Sequence, residues 1–470
     1  MAVIETAERL LPPRLRVRLA PLTRRLGTLL ADDSENARAQ RQALTAFLIR
    51  ILSAAIAFVS QIVLARVMGE FEYGIFAFVW VIVVLAGNLS CLGFHTSIIR
   101  FLHQHRVEGD LPAVRGLTLA ARLIALASSS TVGCLGLLFL HLFGDRMEAY
   151  YLIPVSLAFF TMPMIALGDV LDGTARSAGW TAMALSPTYL FRPTLILLFM
   201  LLAIWMGAPH TAVTAMEAAL VATYVSTLSQ LVRVSLRLRR LHGHGPRQFA
   251  LGAWLRYSLP LFLVDGIGFL LTNADVVVVG LYLPPDQVGI YYAAAKTIVL
   301  VQFVYFSVKA AAGPRFSALL AEGDTQTLAG FAVQTTRWVF WPSLAVGLAA
   351  LAAGQFLLSL FGPGFTAGYS LMAILFCGIL AKAMVGPGEV LLSMAGRQKL
   401  CVLLYAVTLS AGILFYVLLI PRFGLAGAAM ATALAMMVEA VLLHIAVRRT
   451  LGIVLFAFAN PASKPSSEAS

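Results

Sequence analysis

Tyr73-Gly74-Ile75-Phe76-Ala77 and Val288-Gly289-Ile290-Tyr291-Tyr292 each open a long apolar block, and they lie 215 residues apart. A second pair keeps the same order. Gly168-Asp169-Val170-Leu171 closes the fourth apolar block, and Gly388-Glu389-Val390-Leu391 closes the tenth, 220 residues further on. The spacing predicts a duplicated unit of six hydrophobic helices. Two similar bundles in a membrane can rock about a site between them, which is the architecture of alternating access. Movement of a substrate, rather than its chemical conversion, is therefore the leading expectation.

Composition points the same way. The chain is 60% hydrophobic and 12% charged, with mean hydropathy +0.87, more apolar surface than a soluble domain needs. Apolar blocks fall at about 44–66, 73–94, 114–140, 149–170, 182–206, 211–233, 256–280, 289–311, 331–353, 368–392, 400–420 and 424–447, each long enough to cross ~30 Å of hydrocarbon. The expected fold is an all-α polytopic membrane protein of about 12 transmembrane helices, in two pseudo-symmetric six-helix bundles. The divisions read from the sequence are a basic tail (1–43), a first bundle (44–233), a basic linker (234–255), a second bundle (256–447) and a tail (448–470).

The net charge is +12, but its placement argues against nucleic acid. Arg and Lys gather in alternate connections: Arg100, Arg106, Arg176, Arg237, Arg239, Arg240, Arg247, Arg315, Arg397 and Lys399, with Arg448 and Arg449 after the last span. A nucleic-acid face would want interleaved aromatics on a polar surface. The positive-inside rule instead puts both termini and the basic connections in the cytoplasm. Cys91, Cys134, Cys377 and Cys401 lie in or beside apolar blocks without metal-ligand spacing and read as small core residues. No signal-peptide pattern is present in the Arg-rich start. Arg14, Arg16, Arg18, Arg24 and Arg25 alternate with apolar residues, which fits either an interfacial helix on anionic lipid or a disordered tail. Residues 451–459 are apolar but too short to span, and are expected at the interface; residues 460–470 read as a disordered tail.

Ionisable residues inside spans are costly and ask for a reason. Arg50, Arg192, Lys296 and Lys382 are the embedded cations, and Asp265, Asp275, Glu217 and Glu439 the embedded acids. One reading is a water-filled cavity lined by cations for an anionic substrate such as a lipid-linked diphosphate. The other is snorkelling or ion pairing between helices. Arg192 precedes Pro193, and could satisfy the carbonyl that the proline frees. Asp265 or Asp275 could hold a coupling proton or sodium ion, or pair structurally with Lys296. Lys309 and Arg337, near the basic ends, read as snorkelling. No metalloprotease, serine-hydrolase or P-loop motif is present. His95, His103 and His105 read as solvated loop histidines. The expectation is a non-enzyme without metal or cofactor.

Several turn motifs add a resemblance. Ala65-Arg66-Val67-Met68-Gly69 with Glu72-Tyr73-Gly74, Gly93-Phe94 with Ile99-Arg100-Phe101, and Leu259-Pro260 are similar to those of bacterial polysaccharide-repeat flippases. So are Asp275 with Gly280, Val288-Gly289-Ile290-Tyr291 with Ala293-Ala294, Phe361-Gly362 with Phe365, and Pro421-Arg422-Phe423-Gly424 with Gly427-Ala428-Ala429. Over residues 42–447 the chain resembles the polysaccharide transport (Wzx-type) branch of the multidrug/oligosaccharidyl-lipid/polysaccharide exporter superfamily. That resemblance implies that the two bundles form a V-shaped central cavity, and that the chain is a flippase in the bacterial inner membrane, moving undecaprenyl-diphosphate-linked oligosaccharide for O-antigen, exopolysaccharide or capsule export. It implies cationic cavity residues, to which Arg50, Arg192, Lys296 and Lys382 correspond in kind, and a polysaccharide polymerase and chain-length protein as partners. A multidrug exporter of the same architecture is the first rival. A membrane-embedded polymerase or ligase is the second, disfavoured by the short external connections.

Overall fold

The computed structural model describes residues 35–459. The readings made for the Arg-rich tail before residue 35 and for residues 460–470 lie outside the described residues. Among these, every regular element is helical. Nine helices are long and apolar enough to cross a membrane, or ten if the pair Thr325–Ala352 and Gly354–Phe361, bent by 60°, is one crossing. Two of the nine turn back on themselves. At Gly69 the backbone leaves the helix (φ 76°, ψ 176°), and the Tyr73 hydroxyl donates to Gln61 at 2.8 Å. A continuous helix would hold residues twelve apart at roughly 18 Å. At Gly424 (φ 55°) the same happens, bringing the Tyr416 and Thr432 hydroxyls to 2.9 Å. Both angles lie in the left-handed region that glycine tolerates. With the bent pair counted as one crossing, the described residues hold twelve segments long and apolar enough to cross.

Spans 1 and 2 occupy 35–68 and 70–89. The connecting helix Phe94–Val107 follows, then span 3 (Leu111–Phe143), span 4 (Ala149–Ser177), span 5 (Thr181–Trp205) and span 6 (Ala212–His242). Span 7 is Leu251–Tyr282, span 8 Pro285–Glu322, span 9 Thr325–Ala352 and span 10 Gly364–Met394. Spans 11 and 12 occupy 398–423 and 425–451. The Arg- and Lys-bearing connections share one face of the molecule, termed here the basic face; the other is the far face. Helix starts on the basic face are capped as their sequences require. Asp110 accepts from the Ala113 amide with Pro112 beside it, and Asp324 accepts from the Thr327 amide. The Thr327 bonds hold the exposed Asp324 carboxyl below its ordinary value.

The duplicated motifs meet each other on the far face. A methyl group on Gly74 would overlap the Pro285 carbonyl, and one on Gly289 would meet the Glu70 carbonyl. The contact is reciprocal, since Gly74 and Glu70 of span 2 correspond to Gly289 and Pro285 of span 8 at the same 215-residue offset. Self-complementary contact of this kind is what a twofold axis produces. Side chains without Cβ let the two backbones approach. Tyr73 packs edge-on against Tyr292 (6.0 Å) and Phe365 (5.7 Å); Phe58 packs on Phe361 (5.8 Å). The Arg66 guanidinium donates to the Leu360 carbonyl at 3.4 Å. The Glu72 carboxylate accepts from the Ala212 amide at 2.7 Å, where it opposes the positive end of span 6. The motifs at 65–74, 288–294 and 361–365 thus converge on one contact between the halves, while Gly93 meets the Ser258 carbonyl at a second.

Residues 452–459 do not continue the last helix. They form an extended strap that folds back along spans 9, 10 and 12. Ile453, Leu455 and Ala457 are buried, while Val454, Phe456 and Phe458 are exposed, the alternation of an extended chain. The Ala457 amide donates to the Met384 carbonyl at 3.0 Å, which span 10 leaves unpaired because it breaks at Gly386 (φ 64°) and Pro387. Arg337 donates to the carbonyls of Ala457 (3.0 Å) and Ala459 (2.8 Å), so it binds the strap rather than snorkelling.

Candidate functional site

Embedded charges cluster separately in the two halves. In the first half, Pro187–Phe191 widen span 5 into a turn of π-helix. Arg192, next in the chain, is only 6% exposed. Its guanidinium lies against Gly168 of span 4, within electrostatic reach of Asp169 and Tyr189. Its Nε has no hydrogen-bond partner among the described residues, so the expected bond to a proline-freed carbonyl is not what orients it. Asp169 accepts from the Asn88 amide at 3.0 Å. Arg50 on span 1 is exposed and holds its guanidinium 5.9 Å from the Tyr189 ring centre, a weak cation–π contact.

In the second half the charges are paired. Lys382 on span 10 meets Glu439 on span 12 at 2.6 Å, and its ammonium lies 5.6 Å from the Tyr305 ring centre. Lys309 on span 8 pairs with Glu389 on span 10, which also accepts from the Tyr405 hydroxyl; the snorkelling expected of Lys309 is replaced by this pair. Lys296 is half-buried and sits 4.9 Å over the Tyr292 ring. Asp275 accepts from Tyr291 at 3.2 Å, and Tyr291 and Tyr416 share Thr432, each at 2.9 Å. Among the described residues the Asp275 Oδ1 has no hydrogen-bond partner. Glu217 is exposed on span 6.

Asp265 does not pair with Lys296 among the described residues. It accepts from Thr96 at 2.8 Å and faces the His95 Nε2 at 3.2 Å, joining span 7 to the connecting helix of the first half. Arg100 donates to Tyr257 at 2.7 Å, and the Ser97 and Ser258 hydroxyls are 2.6 Å apart. His95 and His105 are therefore contact residues and not solvated ones; His105 packs edge-on against Trp254 at 6.4 Å.

The sequence reading did not identify Asp169, Glu389, Asn88 or Thr432 as site residues. A signal existed for the first two: Asp169 and Glu389 are the acids of the duplicated Gly-acid-Val-Leu motif, at one place in both copies. Among the described residues, Arg50, Arg192 and Lys296 make no ion pair, whereas Lys309 and Lys382 each have a carboxylate. No group of His, Cys, Asp and Glu among those residues is arranged to hold a metal ion.

Residues 40–320 match the family described as polysaccharide biosynthesis protein. No curated protein matches the sequence. Solved structures with a similar fold include three transporters. One, described as lipid II flippase MurJ in an inward closed conformation, gives a TM-score of 0.71 at 12% identity, over 86% of this chain and 87% of that one. A multidrug resistance MATE family transporter of the MOP superfamily, inward-facing, gives 0.69 at 15% identity, over 85% and 94%. A MOP superfamily transporter from Pyrococcus furiosus, described as having a binding pocket of reverse polarity, gives 0.60 at 14% identity, over 88% and 95%. At such identities the likeness is one of fold.

Proposed function

Because the chain belongs to the polysaccharide biosynthesis protein family, we propose that this multi-pass membrane transporter is a flippase for undecaprenyl-diphosphate-linked oligosaccharide. The observation that carries the reading is the uneven pairing of charge. Arg50, Arg192 and Lys296 have no ion pair among the described residues, and Arg192 is buried with an idle Nε. A buried cation is stable only when something answers its charge. A diphosphate would supply it, with several oxygens for the forked guanidiniums and the point charge of lysine. Lys382, already held by Glu439, would take part only by exchanging partners. The basic face is then cytoplasmic, as are both termini, in a bacterial inner membrane. The cargo leaves by the far face, where a polymerase and chain-length partner would receive it. The protein acts without catalysis or cofactor. The test is complementation of polysaccharide export by Arg192→Ala and Lys296→Ala, alongside membrane protein level. Export lost at normal protein level supports the reading; full export in both variants defeats it.

One observation favours a second reading, an ion-coupled small-molecule exporter. Asp275 has an idle carboxylate oxygen beside Tyr291 and Thr432, the kind of place where a proton, sodium ion or cationic drug could bind. Asp265, tied to His95 and Thr96, is the weaker candidate for a coupling ion. Resistance to cationic drugs that depends on Asp275, with polysaccharide export intact in its absence, would select this reading.

A further inference from the structure

The contact at the basic face is made on one flank only. There span 7 of the second half lies on the connecting helix of the first, with Asp265 between His95 and Thr96. His95 is also within electrostatic reach of Asp172 on span 4. The duplication says where the matching contact belongs. The 215-residue offset carries Gly74 onto Gly289, and Glu70 onto Pro285, the first residues of spans 2 and 8. Counting back from that junction, it carries Arg50 of span 1 onto Asp265 of span 7. It carries Phe94 onto Lys309, the neighbour of the His95 position. The Gly-acid-Val-Leu motif carries Asp169 onto Glu389.

The polarity is exchanged between the two copies. On the flank that is closed, the span brings an acid to a base. On the other, the span brings a base, Arg50, and the receiving site holds an acid, Glu389. Among the described residues no hydrogen bond or ion pair joins span 1 to the 302–322 stretch of span 8, and Arg50 rests on Tyr189 of its own half. We propose that Arg50 docks on the Glu389 carboxylate when the basic face closes, completing the second of two pseudo-symmetric latches.

The receiving site suits this. The Glu389 side chain is 12% exposed and that of its partner Lys309 40%, so Lys309 is the residue that can swing to water and yield. A guanidinium can then bind the carboxylate through two bonds, which an ammonium cannot. Tyr405 already orients that carboxylate, and Lys382 with Glu439 completes the surroundings as a neutral pair. The latch deepens the proposed function and rests on it for its place in the cycle. Arg50 would receive the diphosphate first, pass it to Arg192 and Lys296, and close behind it.

The experiment uses full-length protein in membrane vesicles with the four native cysteines replaced and a protease site inserted after His244, between the halves. Three cysteine pairs are compared under a short bifunctional thiol reagent: Arg50→Cys/Glu389→Cys, Arg50→Cys/Lys309→Cys, and the reference pair His95→Cys/Asp265→Cys. Cross-linking keeps the cleaved halves together on a denaturing gel. All three pairs are expected to cross-link. The reference pair linked, with neither Arg50 pair linked in protein that remains folded by size-exclusion chromatography, overturns the latch. The readout needs no substrate, so it separates the latch from the flippase reading: export surviving Arg192→Ala and Lys296→Ala defeats the latter and leaves the cross-links to decide the former.

Discussion

Lys382 decides between cavity lining and structural pairing, and its contact with Glu439 makes the outcome calculable. Glu439 is 7% exposed, and its Oε1 lies 2.6 Å from the lysine ammonium. Lys382→Met leaves that carboxylate buried and unanswered, which costs about 3–5 kcal/mol. At ~1.4 kcal/mol per decade this is a loss of roughly two to three and a half orders of magnitude in the folding equilibrium. Glu439→Leu strands the ammonium instead, but Glu389 remains within electrostatic reach of it, so the loss should be smaller. Replacing both with apolar residues removes the two desolvation costs together and is expected to be neutral or mildly stabilising. The assay is thermal stability of detergent-solubilised protein by fluorescence-detected size exclusion, with the coupling read from the double-mutant cycle. Single variants whose losses simply add in the double variant would refute the pairing argument. If the double variant is stable yet does not export, Lys382 serves substrate as well as structure.

At the pivot, Gly74→Ala forces the span 2 and span 8 backbones apart at a cost of about 1–3 kcal/mol. It should raise labelling of a cysteine at Thr366 by an impermeant thiol reagent, and unchanged labelling would count against the close contact. Removing residues 453–470 uncovers the Met384 carbonyl and the Arg337 guanidinium; with a charged hydrogen bond worth ~1.5–3 kcal/mol, a lower melting temperature is expected, matched in part by Arg337→Ala. An unchanged melting temperature in both would show the strap to be idle. For orientation, cysteines introduced at Gly243 and Arg397 should resist an impermeant reagent in intact cells while those at Pro209 and Pro363 react. The reverse pattern would invert the topology.

Hydropathy made the twelve crossings legible because lipid demands a long apolar segment for each, whatever the helix packs against. It also placed the turn-backs, since Gly69 and Gly424 stand where the pattern breaks. Pairing was not legible. Lys309 with Glu389 and Lys382 with Glu439 join helices distant in sequence, and no periodicity along one helix says which neighbour it will meet. His95 looks solvated in sequence because it sits in a polar connection, and only the fold lays Asp265, midway along span 7, against it. The strap carried a readable signal, the alternation of Ile453, Leu455 and Ala457 with Val454, Phe456 and Phe458.

The distribution of chemistry along the membrane normal follows a rule that the motifs alone do not state. At the far face the halves touch through Gly74, Gly289 and a ring of aromatics, contacts that depend on shape and change little with the electrostatic surroundings. Toward the basic face they touch through Asp265, His95 and Thr96, contacts whose strength depends on charge and water. A machine that rocks needs one end to persist while the other exchanges partners. Close-packed backbones can hold a hinge through small changes of angle. A partly exposed polar contact, such as His95 (13%) with Asp265 (24%), parts at lower cost than a fully buried one, because water can replace the lost partner. Arg192 is only 6% exposed, and under the proposed function its Nε, idle among the described residues, is where a travelling anion would be held.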